Sequence, residues 1–206
     1  MNVIRDTVRK LRSISRYYRL LWNLKISRGD VKLIIGAART GGQGWFSTDH
    51  TFLDLTKEAD WARLFTPSSI SSVLAEHVWE HLTENDAITA GNICYKYIKK
   101  GGVLRIAVPD GFHPKLSYIE QVKPGGIGPG ADDHKVLYTY KSLCLLLNEV
   151  GFETKLLEYF DENGQFHEVD WNADNGMVLR SKKHDKRNDK GEINYSSIII
   201  DATKLN

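Results

Sequence analysis

The chain has 206 residues, of which 41% are hydrophobic and 26% charged, and it carries a net charge of +2. This composition is typical of a soluble globular domain and excludes collagen-like, coiled-coil and disordered classes. No apolar run reaches the roughly 20 residues of a membrane span. The two cysteines, Cys94 and Cys144, argue against a disulfide framework or a cysteine-rich zinc site, so we expect a cytoplasmic protein.

The charge is unevenly distributed along the chain. Residues 1–30 hold eight Lys and Arg against Asp6 and Asp30, a charge of +6, which leaves −4 for the rest. Apolar residues recur at helical spacing in the same segment. We therefore predict a basic amphipathic N-terminal arm over residues 1–30 and a separate domain over residues 31–206.

The arm has three interpretations. It covers the domain's own apolar surface or the active site, it lies on an anionic membrane surface, or it binds nucleic acid. Tyr17, Tyr18 and Trp22 among the cations favour the membrane over nucleic acid, because aromatic rings suit the lipid interface. The membrane interpretation would place the protein peripherally on the inner membrane face.

Beyond the arm, short apolar runs bounded by glycine, proline or acidic residues predict strands, and longer periodic segments predict helices. The predicted strands are 31–35, 45–49, 70–75, 103–108, 152–160 and 197–202. The predicted helices are 57–65, 84–99 and 143–150, the second ending on Lys99-Lys100-Gly101-Gly102. Residues 123–134 are predicted to form a loop, and the charge run 180–190 a solvated, mobile one.

Alternating strands and helices predict an α/β sheet that is mostly parallel and covered by helices on both faces. No helical pattern separates the final two strands, so we expect the last pairing to be antiparallel. Parallel sheets bind ligands beyond the carboxyl ends of their strands. That rule selects Gly36, Asp49, the residues after Ala75 and Asp110 as candidates for the site.

The segment after the first strand, 36–41, superficially resembles a dinucleotide fingerprint. The glycines continue to Gly44, which leaves no room for the helix that such a fingerprint opens, so a nicotinamide cofactor is disfavoured. The carboxylate of Asp49, at the tip of the second strand, can still accept hydrogen bonds from both hydroxyls of a ribose.

A series of short motifs extends over residues 31–202 in a fixed order. Its members are Ile35-Gly36-Ala37-Ala38, Gly44-Trp45, Asp49, Asp54-Leu55-Thr56, the segment Glu76–Leu82, the segment Lys99–Asp110, His134, Gly151-Phe152 and the strand Ser197–Ala202. This series resembles the class I S-adenosylmethionine-dependent methyltransferases. More specifically, it resembles a small bacterial group often found beside polysaccharide-biosynthesis enzymes.

The resemblance implies a Rossmann-like fold with a seven-stranded sheet, S-adenosylmethionine as cofactor and S-adenosylhomocysteine as product. The cofactor-binding residues would be Gly36, Ala37 and Ala38 at the methionine end, Asp49 at the ribose, Asp54 and Leu55 at the adenine, and Glu76 and His77 at the methyl-transfer face. The family usually carries a glycine where this chain has Ala38, whose methyl group would crowd the methionine moiety.

The acceptor that the resemblance implies is a small molecule or glycan bearing a hydroxyl group. A histidine held by a carboxylate can remove the proton of such a hydroxyl group, because the pKa of histidine lies near working pH. His134, which follows two acids in a glycine-rich loop, is the first candidate, and His113 or Asp110 are the alternatives. No metal site is assigned.

Two other functions are considered. His77-Val78-Trp79-Glu80-His81 matches the H-x-x-E-H pattern of a metallopeptidase family, which would make the chain a zinc-dependent hydrolase. On a helix His77 and His81 would share a face, but the spacing supplies no third ligand. A non-catalytic protein that keeps the cofactor fold as a binding module is the other alternative.

Overall fold

The computed structural model describes residues 2–26, 29–37, 42–189 and 191–206, with side chains from residue 13 onward. Ala38 therefore lies outside the described residues. The described helices include none that has both the length and the apolar character needed to cross a lipid bilayer.

Seven strands and five α-helices are found in the described residues. The strands are β1 (Val31–Ile35), β2 (Phe46–Ser47), β3 (Ile70–Glu76), β4 (Ile98–Pro109), β5 (Glu153–Phe160), β6 (Phe166–Glu168) and β7 (Ser197–Thr203). The helices are α1 (Asn2–Ile26), α2 (Glu58–Ala62), α3 (Glu84–Tyr97), α4 (Leu116–Val122) and α5 (Tyr140–Val150). Single 3₁₀ turns cover Trp79–His81, Ala131–Asp133 and Ala173–Asn175.

The strands form one sheet in the order β2-β1-β3-β4-β7-β5-β6. The pairs among β2, β1, β3 and β4 are parallel, whereas β7 runs antiparallel to both β4 and β5. The predicted α/β sheet with an antiparallel last strand is therefore confirmed. The additional strand β6 pairs antiparallel with β5 at the edge.

Alternation along each strand divides the core between the two faces of the sheet. Leu33, Val73, Leu104 and Ile106 point to the face covered by α2, α3 and α5. Ile34, Leu74, Ala107 and Ile199 point to the other face, where they pack with Val178 and Trp171 of the long segment between β6 and β7.

The predicted stop at Lys99-Lys100-Gly101-Gly102 is wrong. Helix α3 ends at Tyr97, and β4 begins at Ile98, so these four residues lie inside a strand. The register between β3 and β4 shifts between Ile70 and Ser72, and Gly101 has φ +74°. A positive-φ glycine that ends a helix and one that forms an irregularity in a strand look identical in sequence.

Helix α1 packs partly on the domain. Leu20 is buried in the core, and Tyr17 and Leu24 pack against that core from half-buried positions. Tyr17 makes an edge contact with Phe52, at a ring centroid distance of 6.1 Å. The amphipathic helix predicted from the arm's periodicity is present, and one face of it covers the domain.

Candidate functional site

Three adjoining cavities lie beyond the carboxyl ends of β1, β2 and β3. Cavity A, of about 410 Å³, is lined by residues that include Gly36, Asp54, Leu55 and His77. Cavity B, of about 320 Å³, shares Gly36 and His77 with it and adds Glu76, Glu80 and His134. Cavity C, of about 340 Å³, lies between α1 and β2 and is lined by Ala37 and Asp49.

Gly36 follows β1 directly and borders cavities A and B. Its backbone is left-handed, with φ +60°, and a Cβ atom at this position would lie 2.9 Å from Cγ2 of Val78. The chain therefore needs glycine here for two separate reasons, the backbone angle and the close approach of the segment that follows β3. The missing side chain keeps the junction of the two cavities open.

Asp54 lines cavity A from the turn that precedes α2. Its Oδ1 accepts hydrogen bonds from the backbone N and the hydroxyl of Thr56, and Lys57 Nζ lies 2.9 Å from its Oδ2. Burial raises the pKa of Asp54, but the hydrogen bonds from Thr56 and Lys57 outweigh it, so the net pKa is lowered. Asp54 is thus an anion fixed by its own turn, with the neighbouring Leu55 buried beside it.

Asp49 and Ala37 line cavity C rather than cavity A. Asp49 Oδ1 accepts a hydrogen bond from Thr51 N at 3.0 Å, and Arg16 Nη1 of α1 lies 3.4 Å from Oδ2. Partial burial raises the pKa of Asp49, and the hydrogen bonds from Thr51, with His50 and Arg16 nearby, lower it by more. The structure does not bring Asp49 into the cavity that holds Gly36 and Asp54.

Glu76 and His77 stand at the end of β3. Glu76 Oε1 accepts a hydrogen bond from the backbone N of Arg180 at 2.7 Å. His77 has φ +54°, a backbone conformation that non-glycine residues rarely adopt, and its Nε2 lies 3.0 Å from Ser197 Oγ. This strained backbone turns the ring of His77 into the wall shared by cavities A and B.

His134 lies in cavity B, where the structure brings it next to Glu80. The backbone oxygen of Glu80 accepts hydrogen bonds from the amides of Lys135 and Val136, which fix the loop carrying His134. His134 Nδ1 lies 2.6 Å from the carbonyl oxygen of Val122, and its Nε2 faces Glu80 Oε1 at 4.0 Å. His134 is therefore a buried histidine with one nitrogen anchored and the other turned towards a carboxylate.

Asp110 and His113 are built into the fold instead, and neither lines cavities A, B or C. Asp110 is fully buried, and its two oxygens accept hydrogen bonds from the amides of Phe112 and Phe160. Burial raises the pKa of Asp110, and the two hydrogen bonds lower it by less, so the pKa rises to about 6. His113 stacks on Tyr118 with ring centroids 4.0 Å apart, and burial followed by Lys115 lowers its pKa to about 4.

The H-x-x-E-H segment does not form the helix that a metallopeptidase motif requires. His77 belongs to the residues directly after β3, and Trp79–His81 form a 3₁₀ turn, so the two histidines do not share a helical face. Glu80 and His81 nevertheless meet a third ligand-type residue, His134, which the sequence spacing could not indicate.

The sequence did not indicate two arginines of cavity B. Arg180 and Arg187 line it from the charge run 180–190, which was interpreted as a solvated, mobile loop. The described residues of this run form a mostly exposed loop, in which the Asn188 side chain donates hydrogen bonds to the carbonyls of Ser181, Lys182 and Tyr195. The one feature of the sequence that could have indicated them is the presence of arginine at two positions of a run otherwise rich in lysine.

Comparison with solved structures identifies the architecture. An S-adenosylmethionine-dependent methyltransferase from Archaeoglobus fulgidus superimposes with a TM-score of 0.51 at 16% sequence identity, over 95% of this chain and 94% of the other. The fold is that of the class I S-adenosylmethionine-dependent methyltransferases. A second similar structure is the S-adenosylmethionine-dependent methyltransferase SibL in its apo form, with a TM-score of 0.50 and 10% sequence identity. The match covers all of this chain and 59% of the SibL chain.

A third similar chain comes from a complex that contains the Haloferax volcanii Trm112 methyltransferase activator. It matches with a TM-score of 0.51 at 10% identity, over 98% of this chain and 94% of that one. No family model matches the sequence, and no curated protein matches it either. Within the methyltransferase fold, cavities A and B occupy the crevice beyond the parallel strand ends, where open α/β sheets bind their ligands.

Proposed function

We propose that this protein is an S-adenosylmethionine-dependent methyltransferase that methylates a hydroxyl group of a sugar or glycan. The observation that carries the proposal is the junction of two cavities at Gly36 and His77. Cavity A is suited to the cofactor, and cavity B, which has buried basic and acidic groups, is suited to the acceptor. Methyl transfer is an in-line displacement, so holding the two reactants on either side of such a junction accounts for much of the catalysis.

The cofactor-binding roles follow the positions around cavity A. Gly36 lets the backbone approach the methionine end, Asp54 and Leu55 flank the adenine, and Glu76 and His77 form the wall on the methyl-transfer side. Ala37 and Ala38 belong to the same turn in this proposal. Asp49 is proposed for the ribose hydroxyls, for which its side chain must leave the contact with Arg16 described above.

His134 is the proposed proton acceptor. Val122 presents only a carbonyl to His134 Nδ1, so that nitrogen carries the ring proton and Nε2 is the free base on the cavity side. Asp110 and His113 are the weaker candidates, because neither lines cavities A, B or C and both carboxylate oxygens of Asp110 already accept hydrogen bonds. The glycan acceptor and the link to polysaccharide biosynthesis rest on the motif resemblance alone.

Calorimetric titration of the full chain with S-adenosylmethionine and S-adenosylhomocysteine tests the proposal. We expect both to bind, and Asp49→Ala to weaken binding, since each charge-assisted hydrogen bond contributes about 1.5–3 kcal/mol. Failure of both to bind would refute the methyltransferase assignment. Binding without turnover on any hydroxyl acceptor would instead support the non-catalytic alternative.

The proposal includes an anionic membrane surface as partner of α1. The outer side of this helix exposes Ile14, Tyr18, Trp22 and Ile26 at four-residue spacing, a stripe of apolar and aromatic side chains accompanied by cations. Such a surface would hold the enzyme near a lipid-linked acceptor. Sedimentation with phosphatidylserine vesicles at low and high salt tests this part, and absence of binding at low salt would eliminate it.

A further inference from the structure

Glu80 is a buried carboxylate whose two oxygens accept no hydrogen bond from the described residues. The residue is 1% exposed. Among the described residues, the groups within ion-pair distance of Glu80 are two imidazoles, with His77 Nδ1 at 3.0 Å and His134 Nε2 at 4.0 Å. Burying an ionised carboxylate is costly unless a positive charge faces it.

The tautomer of His77 follows from its neighbours. Ser197 Oγ donates its single proton to the carbonyl oxygen of Arg180 at 2.8 Å, so it can only accept from His77 Nε2 at 3.0 Å. The proton of a neutral His77 ring is therefore on Nε2, and Nδ1 presents a lone pair to the carboxylate of Glu80. Two acceptor atoms at 3.0 Å repel each other unless a cation or an additional proton lies with them.

His134 repeats the arrangement from the other side. The carbonyl of Val122 fixes its proton on Nδ1, so Nε2 also directs a lone pair towards Glu80. His81 completes the cluster, with its ring centroid 4.8 Å from that of His134 and its Nδ1 3.3 Å from Asp133 Oδ2. A carboxylate behind a histidine is the usual support for a metal ligand.

We propose that Glu80, His81 and His134 bind a divalent transition-metal ion in cavity B, with His77 facing the same carboxylate. One ligand atom from each of the three residues lies within 4.8 Å of the others. Coordination bonds of about 2.0–2.2 Å require ligand atoms about 3–4 Å apart, so small side-chain movements close the site. Two imidazoles and one carboxylate suit ions such as Zn²⁺, and leave further positions open towards the cavity.

This inference rests on the proposed function for the role of the ion, which is to hold the acceptor hydroxyl. A bound cation would lower the pKa of that hydroxyl, so its proton would pass to solvent. His134 would then act as base only in the metal-free chain, because its Nε2 lone pair binds the ion in the metal-bound one. The acceptor oxygen then bonds to the methyl carbon as the carbon–sulfur bond of S-adenosylmethionine breaks, with both electrons of that bond remaining on sulfur. No oxidant or reductant is needed.

The test is titration of the chelator-treated full chain with Zn²⁺, followed by calorimetry, metal analysis and thermal unfolding. We expect one Zn²⁺ per chain and a raised unfolding temperature. Glu80→Gln keeps the side-chain shape and removes the unpaired charge, and it should weaken binding about tenfold or more, as should His134→Gln. His81→Gln is the second variant if either of these fails to fold, because His81 is partly exposed.

His167→Gln is the matched control, because His167 pairs with Asp161 outside the three cavities. It should bind Zn²⁺ as the wild type does. Absence of binding in the wild type, or equal binding in all variants, would overturn the inference. S-adenosylhomocysteine binding, measured on the same metal-free samples, separates the two proposals, because cofactor binding without Zn²⁺ binding refutes only the metal site, and the reverse refutes only the methyltransferase assignment.

Discussion

Replacing Gly36 with alanine tests the junction of cavities A and B most directly. The added Cβ would lie 2.9 Å from Val78 Cγ2, and the backbone has φ +60°. An L-residue in the left-handed region costs about 1–2 kcal/mol, and overpacking of this kind adds about 1–3 kcal/mol. Alanine also lowers the conformational entropy of the unfolded chain, which offsets about 0.4–1 kcal/mol of the destabilisation. We therefore expect a net destabilisation of about 1–4.5 kcal/mol, centred on about 3 kcal/mol.

Gly44 provides the matched control. Its φ is +82°, and no atom of the described residues lies within 4 Å of a Cβ built there, so Gly44→Ala has the backbone cost without the overlap. We expect a loss of about 1 kcal/mol for this variant. Urea unfolding followed by tryptophan fluorescence measures both variants, and calorimetry measures their affinity for S-adenosylhomocysteine, which should fall only for Gly36→Ala.

A third protein, Gly36→Ala combined with Val78→Ala, isolates the overlap. Removing the valine methyl groups should make the Gly36 substitution less costly by about 1–3 kcal/mol than it is in the wild type. Two results would refute the overlap with Val78. One is that Gly36→Ala is no less stable than Gly44→Ala, and the other is that the Gly36→Ala substitution costs as much with Val78→Ala as without it.

Two further predictions concern buried charge. The pKa of His113, lowered to about 4 from 6.5, keeps the folded state neutral while the unfolded chain takes up a proton, so stability is lost as pH falls from 7 to 5. The wild type should lose about 2 kcal/mol more than His113→Gln over this range in urea unfolding, and equal losses would contradict the lowered pKa. Asp201→Asn leaves the 1%-exposed Arg105 without its bidentate partner and should cost about 3–5 kcal/mol. The exposed control Asp30→Asn, which loses its pair with Lys99, should change stability little, and an equal effect of the two substitutions would contradict the role of burial.

The strands were the most predictable part of the fold. The strands Val31–Ile35, Ile70–Glu76 and Ser197–Thr203 are short, mostly apolar segments that are buried along most of their length, as in a sheet covered on both faces. Helix α4 was missed, because Leu116–Val122 has seven residues and follows Pro114 in a segment without a clear period. Strand β6 was missed because three residues at an edge carry no alternation of their own.

The site was predictable only where it follows strand ends. Gly36, Glu76 and His77 come directly after or at the ends of predicted strands, and the structure places them around the crevice. The meeting of Glu80 with His134 depends on two backbone hydrogen bonds from the following loop, which no local pattern encodes. Pro109-Asp110-Gly111 is also an ordinary turn sequence, and the hydrogen bond that the Asp110 carboxylate accepts from the amide of Phe112 fits such a turn.

The contact between His77 and Ser197 has a consequence for how the molecule is made. The histidine belongs to the middle of the sheet, whereas the serine opens β7, which inserts between β4 and β5. During synthesis β1, β3 and β4 can pair early, and so can β5 and β6, but the two groups of strands are joined only when β7 leaves the ribosome. We therefore expect the nascent chain to acquire cavity B only at this late step, so ligand-binding competence and completion of the sheet arise together.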